Sequence, residues 1–433
     1  MPQDHVPRLR GARLFFLMLG LAALLALWAA GAAAAPPQAP PGPGEGWRLP
    51  LPPAGLDAEP EPSPSPTATP ADSSDERVEL IFLHSDSHVD RDANQDGILD
   101  VLPMDQRVIE HTLALAEQLA RFPKHYVHTG DLIHIFAPAN FSSWALFIST
   151  YDAITDSPLF LSKTLARGNH DIWFTGYPYH PERMVELRTG ARLAMYDYAT
   201  TRLAGETRPD RLSLGDMVGG FGAGGETLII ACHDPVIVPP GMEAKSEQST
   251  ARRDQVRSLV GDRNAVFLAG HYHYPFLGYS TTGDGRVTLQ VVSEGDLRGE
   301  SYWVVTVDPG ASPYANNAHY VRLDQKAQLF VTQPQFSGLI RAGEDGVARA
   351  VVRALVAGSI SPSLRVSLDG AFVQAIPCDG EVCEGEVALA GAAPGEHRLL
   401  VADPRTGAQE ALPVFIGQVP IRYENLTRWW PIK

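Results

Sequence analysis

From Arg77 onward, short apolar runs alternate with longer stretches of helical period. Val78–Leu83 is rich in aliphatic residues, and Val108, Leu115 and Leu119 recur at helical spacing across Asp105–Arg121. Tyr126–His128, Leu228–Cys232 and Ala265–Ala269 are further strand candidates, and Tyr302–Val307 closes the region. Strands alternating with helices predict an α/β unit with a largely buried sheet. After about Asp324 the period shortens to two. Leu364, Val366 and Leu368 alternate with Arg365, Ser367 and Asp369, and Asp369-Gly370 supplies a turn. His397–Val401 lies between turns at Pro394-Gly395 and Pro404–Gly407. Short alternating strands with no helix-period segment predict a small all-β sandwich.

The first 75 residues change this picture. Arg8, Arg10 and Arg13 precede an uncharged, largely apolar run from Leu14 to Ala35, the order of a secretory signal. The run is also long enough to cross a bilayer. Cleaved signal and retained anchor both stay open, and in both cases the basic end remains inside while the rest is exported. Proline supplies 13 of the 35 residues from Pro36 to Pro70, which reads as an extended, disordered spacer. The chain is thus expected to divide into a leader (1–35), a Pro-rich linker (36–75), an α/β unit (76–325), a β-sandwich (326–417) and a tail (418–433).

Composition narrows the function classes. Asp plus Glu total 50 against 35 Lys plus Arg, a net charge of −15 over 433 residues. That excludes a surface built to coat nucleic acid. Three cysteines exclude a disulfide framework and a Cys-rich metal site. Cys378 and Cys383 flank an Asp-Gly turn and read as a hairpin disulfide in an oxidising compartment, whereas Cys232 reads as a buried thiol.

The candidate chemistry lies in five segments. They are Asp86-Ser87-His88, Gly130-Asp131, Gly168-Asn169-His170-Asp171, His233-Asp234-Pro235 and Gly270-His271-Tyr272-His273. Gly-Asp recurs elsewhere in the chain, so that pair alone says nothing; the fixed order of all five does. Most of these residues follow a predicted buried strand, the edge where ligands bind in open α/β sheets. Carboxylates, imidazoles and one amide oxygen make a mixed O/N donor set for hard-to-borderline divalent ions. Asp131, whose motif holds no histidine, is the natural bridge between two of them.

These motifs, over about residues 77–308, resemble the calcineurin-like metallophosphoesterase superfamily. The resemblance implies a four-layer α/β/β/α catalytic domain, followed by a sandwich similar to immunoglobulin-like accessory domains. It implies one divalent metal on Asp86, His88, Asp131 and His273, and a second on Asp131, Asn169, His233 and His271, with Mn, Zn or Fe as the ions. His170 would act beside the metals on the leaving oxygen, and Asp171 would orient it. The implied reaction is hydrolysis of a phosphomonoester or phosphodiester by a hydroxide held between the cations. Purple acid phosphatases carry a tyrosine ligand after Gly-Asp, where this chain has Gly-Asp-Leu-Ile-His134, so the resemblance is to colourless members. Nucleotidases of the superfamily typically read Gly-Asn-His-Glu, where this chain has Asp171.

Other residues carry two readings each. Asp92, Asn94, Asp96 and Asp100, with Gly97, resemble an EF-hand-like calcium loop within 90–100, but Pro103 stands where the closing Glu belongs; a solvated acidic loop is the alternative. His84, His128 and His134 read as core histidines. Trp173, Phe174, Tyr177 and Tyr179 fit either loop packing or a substrate's leaving group, and Arg167 either phosphate or solvent. The expected partner is a phosphate ester, with membrane contact only through an uncleaved leader. The expected location is extracellular, periplasmic or on the outer membrane face. The competing expectation is a catalytically silent cell-surface binding protein on the same scaffold.

Overall fold

Strand β1 (Glu79–His84) is buried along its whole length because it lies mid-sheet and both of its faces are covered. The structure, a computed structural model, describes residues 77–89, 103–133, 141–171, 183–196, 215, 218–219, 226–238, 250–281, 286–296, 300–358, 361–417 and 428–430. All belong to the unit Pro70–Lys433. The leader, the whole linker, loop 90–100 with its four calcium-loop candidates, His134 and the aromatic run 173–179 lie outside the described residues.

Helix α1 (Pro103–Gln118) leads from β1 to its parallel neighbour β2 (Lys124–His128), and α2 (Phe141–Thr155) leads on to parallel β3 (Ser162–Leu165). On the other edge of β1, β10 (Ser301–Asp308) and β11 (Ala315–Arg322) add antiparallel, giving the order β11-β10-β1-β2-β3. A second sheet contains β4 (Arg183–Glu186), β5 (Arg192–Met195), β6 (Leu228–Ala231) and β7 (Ala265–Ala269). It is completed by β8 (Phe276–Thr281), β9 (Val287–Val292) and β20 (Arg428–Trp430), in the order β20-β8-β9-β7-β6-β5-β4. Here β5, β6, β7 and β9 run parallel, and α3 (Thr250–Val260) lies between β6 and β7.

The third sheet is formed by β12 (Gln328–Gln333), β13 (Leu339–Ile340), β14 (Ala348–Ala357) and β15 (Ser363–Leu368), with β16 (Ala371–Asp379), β17 (Val382–Leu389), β18 (Gly395–Ala402) and β19 (Gln409–Ile416). Its order is β12-β14-β17-β16-β15-β18-β19-β13. Cys378 and Cys383 face each other across β16 and β17 and are joined by a disulfide, while Cys232 is free and buried.

The alternation of side chains along a strand assigns each face. Ile81 and Leu83 of β1 join Val127, Leu193, Ile229, Val266 and Val291 in a core between the first two sheets; Leu80 and Phe82 point the other way, to Val108 and Leu115 of α1 and Tyr151 of α2. Val256 and Val260 of α3 cover Ile230 and Phe267. The first of these cores runs on without a break to Val331, Val352, Leu364, Val401 and Val414.

The expected four-layer α/β/β/α domain followed by a small all-β sandwich is therefore corrected. Strand makes up 46% of the described residues and helix 15%, and the sheets are large and curled. Only three helices occur among the described residues. An apolar run buried on both faces reads the same whether a helix or another sheet covers it, so the pattern overcounted helical crossovers. Antiparallel pairs (β4–β5, β8–β9, β10–β11) take their place.

A buried ion pair fastens the third sheet to the first. Arg353 of β14 reaches Asp308 at the end of β10 (3.2 Å) and Glu384 of β17 (2.7 Å), and Thr332 donates to the same Asp308 (2.7 Å). Asp308 is fully buried, so truncating Arg353 strands a carboxylate. Arg353→Ala is expected to lower the unfolding free energy by about 3 kcal/mol in urea titrations; an unchanged midpoint refutes the role.

Candidate metal centre

Each candidate ligand segment begins where a parallel strand stops. Asp86 and His88 follow β1, Asp131 follows β2, Asn169–Asp171 follow β3, His233 follows β6, and His271 and His273 follow β7. Strand pairing continues into these loops and fixes their register: Asp86 N–H donates to Gly130 O (2.9 Å), His88 N–H to Asp131 O (3.1 Å) and Gly270 N–H to His233 O (3.0 Å).

The backbone then departs from ordinary geometry. Asp86, His88, Asp131, His271 and His273 have φ of 50°, 46°, 54°, 72° and 52°. Among the described residues only Ser337 and Asp369 share this left-handed region without being glycine. A left-handed backbone at a non-glycine residue costs about 1–3 kcal/mol and gathers where function requires it. The motif glycines are explained by close approach. A Cβ at Gly168 would overlap Asp131 Oδ1, and one at Gly270 would overlap Ser85 Oγ and Asp86 Oδ2.

Two donor clusters result, sharing Asp131. Asp86, His88, Asp131 and His273 offer ligand atoms within 4.8 Å of one another, and so do Asp131, His233 and His271. Asp131 Oδ2 lies 3.2 Å from His233 Nε2 and 3.7 Å from His88 Nε2; Asp86 Oδ1 lies 3.4 Å from His273 Nε2. Asn169 Oδ1 completes the second cluster at 3.0 Å from both His233 Nε2 and His271 Nδ1. The structure thus brings together all seven sequence-derived ligand candidates.

The donor set fits a cation on physical grounds. His233 Nδ1 lies 3.0 Å from the Thr129 carbonyl, so it carries the proton there and aims Nε2 inward. That nitrogen meets a carboxylate oxygen, an amide oxygen and His271 Nδ1 at 3.0–3.2 Å. One proton satisfies one or two of these lone pairs; a divalent ion satisfies all of them. A ligating histidine whose other nitrogen is tied to a carbonyl is the usual supporting arrangement. Electrostatics agree. Burial lowers the His233 pKa, but Asp131, Asp86 and Asp171 outweigh it and push it up to about 10. Burial raises Asp86 to about 6 despite His233, whereas Asp131, also raised by burial, is held well below the carboxylate range by His233, His88 and His170.

His170 is half-buried at the edge of this cluster. Its N–H donates to Asp131 Oδ1 (2.9 Å), its Nε2 is 4.0 Å from Asp131 Oδ2, and its ring stands edge-on to His88. The Asp171 carboxylate accepts from the N–H groups of Gly168 (2.8 Å), Leu132 (3.1 Å) and Ile133 (3.2 Å). It staples the Asp131 loop to the Asn169 loop. Burial and the neighbouring Asp131 push it up to about 7 against those donors.

Sequence reasoning missed Asp296, buried behind Asp86 and bonded to His84 Nδ1 (2.9 Å). Its one signal was position, on the loop after β9 at the same sheet edge. A cavity of about 980 Å³ opens elsewhere, between Trp303, Phe330, Phe336 and Glu410, and contains none of the candidate ligands.

No protein-family model matches the chain, and no curated protein matches it. Among solved structures, the calcineurin-like phosphoesterase YfkN from Bacillus subtilis is a weak neighbour: 14% identity over 57% of this chain and 91% of that one, TM-score 0.33. Fibronectin(III)-like modules of Clostridium thermocellum CbhA align with 21% of this chain and 99% of their own, at 16% identity and TM-score 0.16. A protein of unknown function from Aquifex aeolicus, AQ665, aligns over 45% of this chain and 80% of its own at 14% identity and TM-score 0.23. Likenesses this slight carry no argument; the donor geometry does.

The histidine beneath the centre makes it acid-sensitive. His128 Nδ1 accepts the Gly130 N–H (3.2 Å), and its ring packs edge-on to Phe147 and Tyr151. Burial lowers its pKa from 6.5 to about 3, although Asp296 pulls upward. Between those values the unfolded chain binds a proton that the native chain refuses, so stability falls as pH drops through that window. The melting temperature of wild type is expected to fall from pH 6.5 to 4.5, and less steeply in His128→Gln. Equal slopes would refute this assignment.

Proposed function

We propose that this chain is a metal-dependent phosphoesterase that hydrolyses phosphomonoesters or phosphodiesters. The observation that carries the reading is the shared Asp131, buried, left-handed and ringed by His88, His233 and His170. Asp86, His88, Asp131 and His273 would hold one divalent cation, and Asp131, Asn169, His233 and His271 the other. Mixed carboxylate, imidazole and amide donors suit Mn, Fe or Zn. When bound, such a pair supplies a nucleophile from water near neutral pH and offsets the charge of the phosphoryl oxygens.

The chain's own residues do the rest. Buried walls around Asp86 and Asp131 keep water from solvating the carboxylates, so their charge stays directed at the cation sites. His170, with its side chain 17% exposed, faces both the cluster and solvent. That is the place for a group that passes a proton to a departing alkoxide, and imidazole is suited to the task near pH 7. Its backbone N–H on Asp131 Oδ1 holds it there. Export is part of the proposal. It is supported by the Cys378–Cys383 disulfide, a bond that persists in oxidising compartments, and by the signal-like order of residues 1–35.

The full chain supplied with Mn, Zn or Fe is expected to hydrolyse p-nitrophenyl phosphate or its bis ester. His170→Ala should lower turnover on the order of 10²- to 10⁴-fold with metal content unchanged. Loss of metal together with activity means that His170 has been given the wrong role. Metal bound without any turnover in wild type favours the silent binding protein.

A further inference from the structure

The Asp86 and Asp131 loops each rest on a second, buried aspartate, and the two aspartates are different. Asp171 takes the N–H groups of Gly168, Leu132 and Ile133 and so holds the Asp131 loop. Asp296 stands in the corresponding place under Asp86. Its backbone N–H donates to Ser85 O (2.8 Å), which fixes the loop after β9 against the residue preceding Asp86. Gly295 makes that approach achievable: its φ is +93°, and a Cβ there would lie 2.8 Å from Asp86 Cβ.

The Asp296 side chain then gathers three elements. Its Oδ2 accepts the Tyr151 hydroxyl of α2 (2.6 Å) and faces His84 Nδ1 at the end of β1 (2.9 Å); His84 Nε2 meets Thr112 Oγ1 of α1 (3.0 Å). Asp296, His84, Tyr151 and Thr112 are all fully buried. Removing a carboxylate from water costs several kcal/mol, and apolar side chains filling the same space are often as stable or better. The network is therefore poorly explained as a device for overall stability. What it adds is direction. Asp86 and His88 sit in left-handed backbone that relaxes unless the surroundings over-determine it, and the network clamps the segment between them and β1.

We propose that Asp296, acting with His84 and Tyr151, is a positioning residue for the Asp86–His88–His273 half of the metal centre. The inference rests on reading that centre as a two-cation site. It predicts asymmetry. Disturbing Asp296 weakens the half that contains Asp86 more than the half that contains Asn169 and His233, whose segments are tied to Asp171 and Thr129; His271, whose N–H donates to the Asp86 carboxylate (2.9 Å), links the two.

The test is a Mn²⁺ titration of the full chain, read by calorimetry and by the spin-coupled EPR signal of a filled pair. Wild type is expected to bind two ions. Asp296→Asn should keep one with near-native affinity, weaken the other on the order of 10- to 100-fold, and lose the coupled signal at limiting Mn²⁺. Tyr151→Phe removes a single hydrogen bond and should weaken the same ion by a smaller factor. It decides the matter by the same criterion if Asp296→Asn does not fold. Two ions bound with unchanged affinity, or both weakened equally, overturns the positioning role while leaving the metal centre standing. A wild-type chain that binds no Mn²⁺ overturns the metal-centre reading itself.

Discussion

The Asp131 side chain is 2% exposed, and its two oxygens face a backbone N–H and three imidazole nitrogens. A carboxylate taken out of water in this way is tolerated only where positive charge or donors replace the lost hydration. The protein provides few donors. His170 N–H serves Oδ1, while Oδ2 is left to imidazoles, of which His233, at 3.2 Å, is pushed toward its cationic form by the surrounding carboxylates. The surroundings of Asp131 thus favour positive charge, which a cation held by the clustered donors could supply. Five residues in three segments twist into left-handed conformations to aim donors at the same volume.

Such strain needs a stiff frame. At about 1–3 kcal/mol for each left-handed residue, the ligand loops consume a large part of what a folded domain has to spare. The frame is visible in the packing. Val127, Ile229 and Val266 belong to one uninterrupted apolar core that also takes in Val352 and Val414 of the third sheet. The parallel strands that carry the ligands are therefore anchored along their length, and only their C-terminal ends are shaped by polar groups. Arg353 and Asp308 tie the third sheet to the far end of β10, the strand paired with β1.

Much of the site was legible because its information is local. Asp86, His88 and Asp131 follow apolar runs that could only be buried strands, and a polar residue just past such a run falls at the sheet edge. Glycines at 168 and 270 mark positions where the backbone presses on a carboxylate, and they were readable as parts of motifs before that reason was known. The helical share of the fold was not legible, since apolar strands such as Leu228–Ala231 look alike under a helix or under another sheet. Asp296 was hidden for a different reason. Gly295-Asp296 is one of several Gly-Asp pairs, and it gains meaning only when β9 and β10 carry it past Ser85. Asp171, whose expected task was to orient His170, has its oxygens committed to backbone N–H groups, a partnership that no spacing rule encodes.

Cys232 shows how the same burial keeps a competing ligand out of play. It directly precedes His233, and a thiolate there would be a stronger donor than imidazole for a borderline cation. Burial, with Asp234 nearby, raises its pKa far above the ordinary thiol range, and Sγ–H donates to Asp234 O (3.3 Å). The thiol packs with Ile230, Val256 and Phe267 and is bonded within its own loop, just past the end of β6. The two half-buried or buried cysteines of the third sheet are instead consumed by each other across β16 and β17. With all three sulfurs withdrawn from coordination, the centre is left to oxygen and imidazole nitrogen. That donor set suits divalent ions of hard-to-borderline character.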